Sequence, residues 1–182
     1  MKIIAIIPAR ENSKRIPYKN LLKLNKIPVL EILYSNLKKM NIFSKIIIST
    51  ESQKIRKLAL NIGYDFVVKR PRNLSKDITP SYSVIIHSIN YLQNKFNFTH
   101  ACCVYPMAIL LQKKDFLSAK KILKQNNEII FPALKYSHPI QRAFKIKKNL
   151  FIKYNLSKKK NFSKYTIIRG ELSRCRSILP WT

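Results

Sequence analysis

The sequence predicts an α/β protein whose sheet is mostly parallel and covered by helices on both faces. Three observations carry this. Short β-rich apolar runs alternate with segments of helical periodicity, the first run is continuous as in a strand buried on both sides, and capping residues punctuate the helical segments. With 182 residues, 46% of them hydrophobic, the chain suffices for one domain with a full core.

The elements follow in order. Residues 3–8 (KIIAII is the run at 2–7) open with a strand. Residues 28–40 put Leu30, Leu33, Leu37 and Met40 on one helical face, with Pro28 suited to the first turn. KIIIST at 45–50 is a strand, 52–63 a helix closed by Gly63, and DFVVK at 65–69 a strand. Residues 79–94 form a helix with a Thr79 cap and Pro80 at its first position; HACCVYP at 100–106 is a strand, KKDFLSAKKILKQ a helix and EIIFPAL a strand. In such a sheet ligands sit beyond the carboxyl ends of the strands, where the loop after residue 8, Thr50 with Glu51, Arg70, and Tyr105 with Pro106 all fall.

Charge alone points elsewhere. Lys and Arg number 36 against 8 Asp and Glu, a net charge of +28, which suggests a nucleic-acid or membrane-surface partner. The lysines are spread over nearly every helix and loop, beside abundant Ile and Asn and only two Gly. A+T-rich coding would produce that mixture, and a selected basic surface stays open beside it. The aromatic residues fall at core-like spacing rather than as a stacking platform, so a nucleic-acid partner is disfavoured. No apolar stretch reaches 18 residues, so no membrane span is expected and the cytoplasm is the expected compartment. Cys102 and Cys103 are adjacent and Cys175 is remote, giving neither a disulfide framework nor zinc-ligand spacing. His87, His100 and His138 likewise lack ligand spacing.

The segment IIPARENSKRIPYKN is the chemical focus. Arg10, Lys14, Arg15 and Lys19, with the Ser13 hydroxyl and Asn20 amide, can cradle a triphosphate where a strand hands over to a helix. The glycines of a Walker A or GxGxxG loop are absent. From the residues alone, a phosphate cradle and a solvated basic turn both stand.

PARxxSKRxPxKN after the first strand, then KIIIST, RPxxLSxDxTP, a strand ending Tyr-Pro and HPIQRAF together resemble the CMP-sugar synthetases, in order from about residue 2 to about residue 150. CCVYP and PIQRAF look most like the branch of that family that activates pseudaminic acid. The resemblance implies a Rossmann-like nucleotidyltransferase sheet and transfer of CMP from CTP to a nonulosonic acid, pseudaminic or N-acetylneuraminic, with Mg²⁺ and release of pyrophosphate. It implies Arg10, Ser13, Lys14 and Lys19 on the triphosphate, with Arg10 and Lys19 in the catalytic role. Asn20 would order the loop or touch the nucleotide, Arg70 would lie near the cytosine and ribose with Ser81, and Gln141 and Arg142 would face the sugar acid. Asp77 either orients its segment or is a plain turn carboxylate. A homodimer is left open.

The departures are specific. Glu11-Asn12 stands where many members have Gly-Gly, setting a negative charge beside the proposed phosphates, and Met107 and Ile109 stand where Thr and Pro are common. The family's metal-binding Asp belongs to a late segment resembling His-Asp-Ala-Gly-Gln-Phe-Tyr that this sequence lacks, so no metal ligand is assigned. Residues 1–154 are therefore expected to form an incomplete cytidylyltransferase domain and 155–182 an irregular tail. Synonymous codons for that tail, read one base into the Ser173 codon, can spell His-Asp-Ala-Gly-Gln-Phe-Tyr-His, so a frameshift between residues 155 and 172 is expected. An inactive truncated pseudoenzyme is the alternative to an active enzyme.

Overall fold

The computed structural model describes residues 1–13, 16–126, 129–132, 144–147, 150–153 and 178–180. β1 (Ile3–Pro8) carries an unbroken apolar run, and Ile3 to Ile7 are all buried, as a strand with a neighbour on each side and a layer on each face requires. A short hairpin follows, β2 (Lys23–Leu24) against β3 (Ile27–Pro28), turning through Asn25 and Lys26, both at positive φ. α1 (Val29–Met40) buries Leu30, Leu33, Leu37 and Met40, the predicted stripe, with Pro28 just before the helix rather than inside its first turn.

β4 (Lys45–Thr50) leads to α2 (Gln53–Ile62), capped by the Ser52 hydroxyl at one end and by Gly63 in the left-handed region at the other. β5 (Phe66–Lys69) precedes α3 (Ser81–Gln93). The expected Thr79 cap does not form: Pro80, extended at ψ 142°, takes the cap position, and the Thr79 hydroxyl donates to the Asn73 carbonyl instead. β6 (His100–Cys103) is shorter than expected, although the Val104 N–H still reaches the Ile6 carbonyl at 3.0 Å. α4 (Lys113–Asn126) matches its prediction. Of the strand expected over 128–134, only an isolated bridge at Ile130 lies among the described residues. β7 (Phe144–Lys147) and β8 (Leu150–Lys153) form an antiparallel hairpin, and β9 (Ile178–Pro180) pairs antiparallel with β6. Within the segment expected to be an irregular tail, residues 178–180 thus lie along β6 as an edge strand of the sheet.

The main sheet has the order β5-β4-β1-β6-β9, parallel except for β9. Side chains alternate between two cores. Ile3, Ala5, Ile7, Ile46, Ile48 and Cys102 face α1, α2 and α4, whereas Ile4, Ile6, Ile47, Val68 and Cys103 face α3. Helices on both faces are thus observed. The chain divides into two compact units, Met1–Phe131 with Arg174–Thr182, and Pro132–Ser173. The domain boundary expected after residue 154 falls outside the described residues, as does the supposed frameshift region.

Gly63 sits at φ +98°, and a methyl placed there would meet only the Tyr34 hydroxyl at 3.7 Å, an ordinary contact. Strain alone therefore sets the cost. Gly63→Ala should destabilise the protein by about 1–2 kcal/mol, read as a lower urea midpoint with an unchanged slope.

Candidate functional site

The strand order reverses at β1, because β4 and β5 are added on one side of it and α3 then carries the chain back to β6 on the other, which makes the edge between β1 and β6 the switch point. Residues 9–13 leave β1 there, and Tyr105 and Pro106 leave β6 beside them. Geometry thus puts the cationic loop where an α/β sheet binds ligands.

The loop is braced at its base. Asn20 is buried, and its amide donates to the Arg10 carbonyl at 2.8 Å, tying the loop's return to its departure. Glu11 does not point its charge into the crevice. Its backbone N–H donates to Glu51 Oε1 at 2.9 Å, and its carboxylate accepts from Ser52 Oγ at 2.5 Å and pairs with Lys54 Nζ at 3.1 Å. Ser52 accepts from the Ile55 N–H as the α2 cap, so Glu11 lies at the positive end of that helix. The Ser52 hydrogen bond, then the Lys54 ammonium, hold the Glu11 carboxyl below its ordinary 4.5. Lys54 also sits 5.7 Å from the centre of the Tyr18 ring.

The nominated residues meet different fates. Arg10 makes an ion pair with Asp77, which is thereby more than a plain turn carboxylate. Ser13 and Asp77 line a cleft of about 220 Å³ with Asn12, Pro17 and Tyr18. Lys19 is half-buried in the short 3₁₀ turn Lys19–Leu21. Ser81 opens α3 and accepts from the Tyr105 hydroxyl at 2.7 Å, joining that helix to the end of β6. Lys14, Arg15, Gln141 and Arg142 lie outside the described residues.

Arg70, expected near a base and ribose, is committed to the protein itself. It is 5% exposed, with Nη2 donating to the Ser49 carbonyl at 2.6 Å, Nε to Ser49 Oγ at 3.4 Å, and Nη1 3.8 Å from Glu51 Oε2. Burial lowers its pKa, opposed by the Glu51 charge. Among the described residues no three His, Cys, Asp or Glu side chains gather as a metal site. Both carboxylate oxygens of Glu11 are already engaged, one by Ser52 and one by Lys54. Sequence reasoning missed Ser52 and Lys54 as loop partners. Ser52 was readable as a helix cap, but its second bond, to a residue 41 positions away, leaves no local signal.

Comparison with known proteins agrees with this geometry. The family model described as Cytidylyltransferase matches residues 4–165. The chain is 34% identical over 151 residues to the pseudaminic acid cytidylyltransferase of Campylobacter jejuni subsp. jejuni serotype O:2, covering 82% of this chain and 65% of that protein. It therefore spans about two thirds of that relative's length. An N-acylneuraminate cytidylyltransferase of Escherichia coli O18:K1:H7 is 37% identical over 89 residues, 49% of this chain and 21% of that one. Among solved structures, a CMP:2-keto-3-deoxy-manno-octonic acid synthetase complexed with CTP superposes with a TM-score of 0.58 at 16% identity, over 69% of this chain and 48% of that one. A 4-diphosphocytidyl-2C-methyl-D-erythritol synthase does so at 0.67 and 12%, over 98% and 74%. These two establish a shared fold, the Rossmann-like nucleotidyltransferase sheet.

Two outcomes follow from the bracing. Arg70→Ala removes the cation beside Glu51 and a buried donor to Ser49, and should cost about 3 kcal/mol in urea unfolding, with Arg70→Lys recovering only part. Because the folded pKa of Glu11 is depressed, its contribution is present above the ordinary value and fades as pH falls through the folded one. The melting-temperature gap between wild type and Glu11→Gln should be widest near neutrality and narrow progressively as the pH falls below the ordinary 4.5.

Proposed function

This chain belongs to the cytidylyltransferase family, and from that premise we propose that it transfers CMP from CTP to the anomeric hydroxyl of a nonulosonic acid, releasing pyrophosphate. Pseudaminic acid is the substrate we favour, from the C. jejuni relative, with N-acetylneuraminic acid second. The observation that carries the reading is the braced cationic loop at the switch point between β1 and β6.

In this reading the sugar oxygen attacks the α-phosphorus in line. A bond forms from that oxygen to phosphorus, the bond to the β-phosphate oxygen breaks, and the hydroxyl proton leaves to solvent. The chain's work is positioning and charge stabilisation. Arg10 exchanges Asp77 for phosphate oxygens, which its planar fork suits, while Lys19 and Lys14 act as point charges and Ser13 as a hydrogen-bond donor. Asn20 keeps the loop's base closed, and Arg70 serves the site indirectly by fixing the strand ends. Gln141 and Arg142 are proposed for the sugar carboxylate. Mg²⁺, were it to accompany CTP, would supply neutralising charge at the phosphates. Cytoplasmic residence and a homodimer belong to the same reading. No helix among the described residues is long and apolar enough to cross a membrane.

A second reading is a nucleotide-binding protein without turnover. The test is calorimetry with CTP and Mg²⁺, followed by an assay of CMP-sugar and pyrophosphate with pseudaminic acid. We expect product, and a loss of at least about tenfold in kcat/KM for Lys19→Ala. CTP binding without product selects the second reading, and absence of CTP binding removes both.

A further inference from the structure

Glu11 is the anomaly of the site: a carboxylate inside a cationic loop that should attract anions. Its surroundings explain why it is tolerated. Ser52 donates to one carboxylate oxygen and Lys54 pairs with the other, while Glu51 takes its backbone N–H. On the far limb of the loop, Tyr18 adopts a left-handed backbone conformation at φ 51°, which costs a residue with a bulky side chain. The same Lys54 ammonium lies over the Tyr18 ring. One lysine at the start of α2 thus touches both limbs of the loop.

We infer that Glu11 and Lys54 are positioning residues that form a latch, clamping the described limbs of the loop, at Glu11 and at Tyr18, to the start of α2 before any ligand arrives. Rested on the reading of this loop as the CTP site, the latch contributes to binding by pre-organisation, since ordering completed beforehand is not charged against affinity. This opposes what charge alone dictates. A negative group near a triphosphate should weaken binding, so its removal should tighten it. The latch requires the reverse sign. Lys54 is 70% exposed at the side chain, and an exposed ion pair adds little to global stability, so loop order and fold stability are separable.

The experiment compares wild type, Glu11→Ala, Glu11→Gln and Lys54→Met, first without ligand. Amide hydrogen exchange over residues 12–19 should quicken about tenfold in Glu11→Ala and Lys54→Met, with β1 unchanged and the melting temperature within a few degrees of wild type. Glu11→Gln, which still accepts from Ser52, should recover part of the protection. CTP titration should then show about tenfold weaker binding in Glu11→Ala. Unchanged loop exchange in Glu11→Ala, or tighter CTP binding than wild type, overturns the latch. If wild type itself fails to bind CTP, the nucleotide reading falls and the exchange data alone decide the latch.

Discussion

The carbonyl oxygen of Ser49 is where the sheet and the site become one object. It accepts the Ala9 N–H at 3.0 Å, carrying the β1–β4 ladder one residue beyond β1, and also Nη2 of Arg70 at 2.6 Å. Both lone pairs of one oxygen are used. Through it the ends of β1, β4 and β5 are locked at a common level, and the direction in which Arg10 leaves the sheet is set. A loop starting from a frayed strand end could not present its cations at a fixed place. The buried guanidinium therefore matters to a ligand it need not touch.

The acids show how a chain of net charge +28 organises such a place. Of its 8 carboxylates, Glu11, Glu51 and Asp77 all stand at the carboxyl edge of the sheet. Each is turned toward a cation or a loop amide: Glu11 to Lys54, Glu51 to Arg70 and the Glu11 N–H, Asp77 to Arg10. Like charges crowded on an unneutralised loop would push it open. Sparse acids act here as internal counterions, Asp77 holding Arg10 among them.

Much of the architecture was legible because it rests on local periodicity. The stripe of Leu30, Leu33, Leu37 and Met40, the continuous run of β1, and Gly63 after α2 each declare their element without reference to anything distant. The β2–β3 hairpin was not legible, because its turn uses Asn25-Lys26 and lacks the glycine that marks such turns. At the site, the sequence located the loop but not the partners of two of its charges. Arg70 reads as a nucleotide contact and is found buried against Ser49 and Glu51, and Glu11 reads as a negative charge beside phosphates and is found paired. The partners, Ser49 for one and Ser52 with Lys54 for the other, lie 21 and 41 or more residues away, beyond any spacing rule.

The adjacent thiols on β6 illustrate what a strand's alternation does to chemistry. Cys102 packs in the core under α1, α2 and α4, and Cys103 in the core under α3. Neighbours along the chain, they inhabit opposite sides of the sheet. Joining their sulfurs would demand that the strand twist one side chain through the plane of its own ladder, so vicinal cross-linking is closed to the folded protein. An oxidant would have to breach two separate hydrophobic layers to reach both, which leaves the midline of the fold chemically quiet.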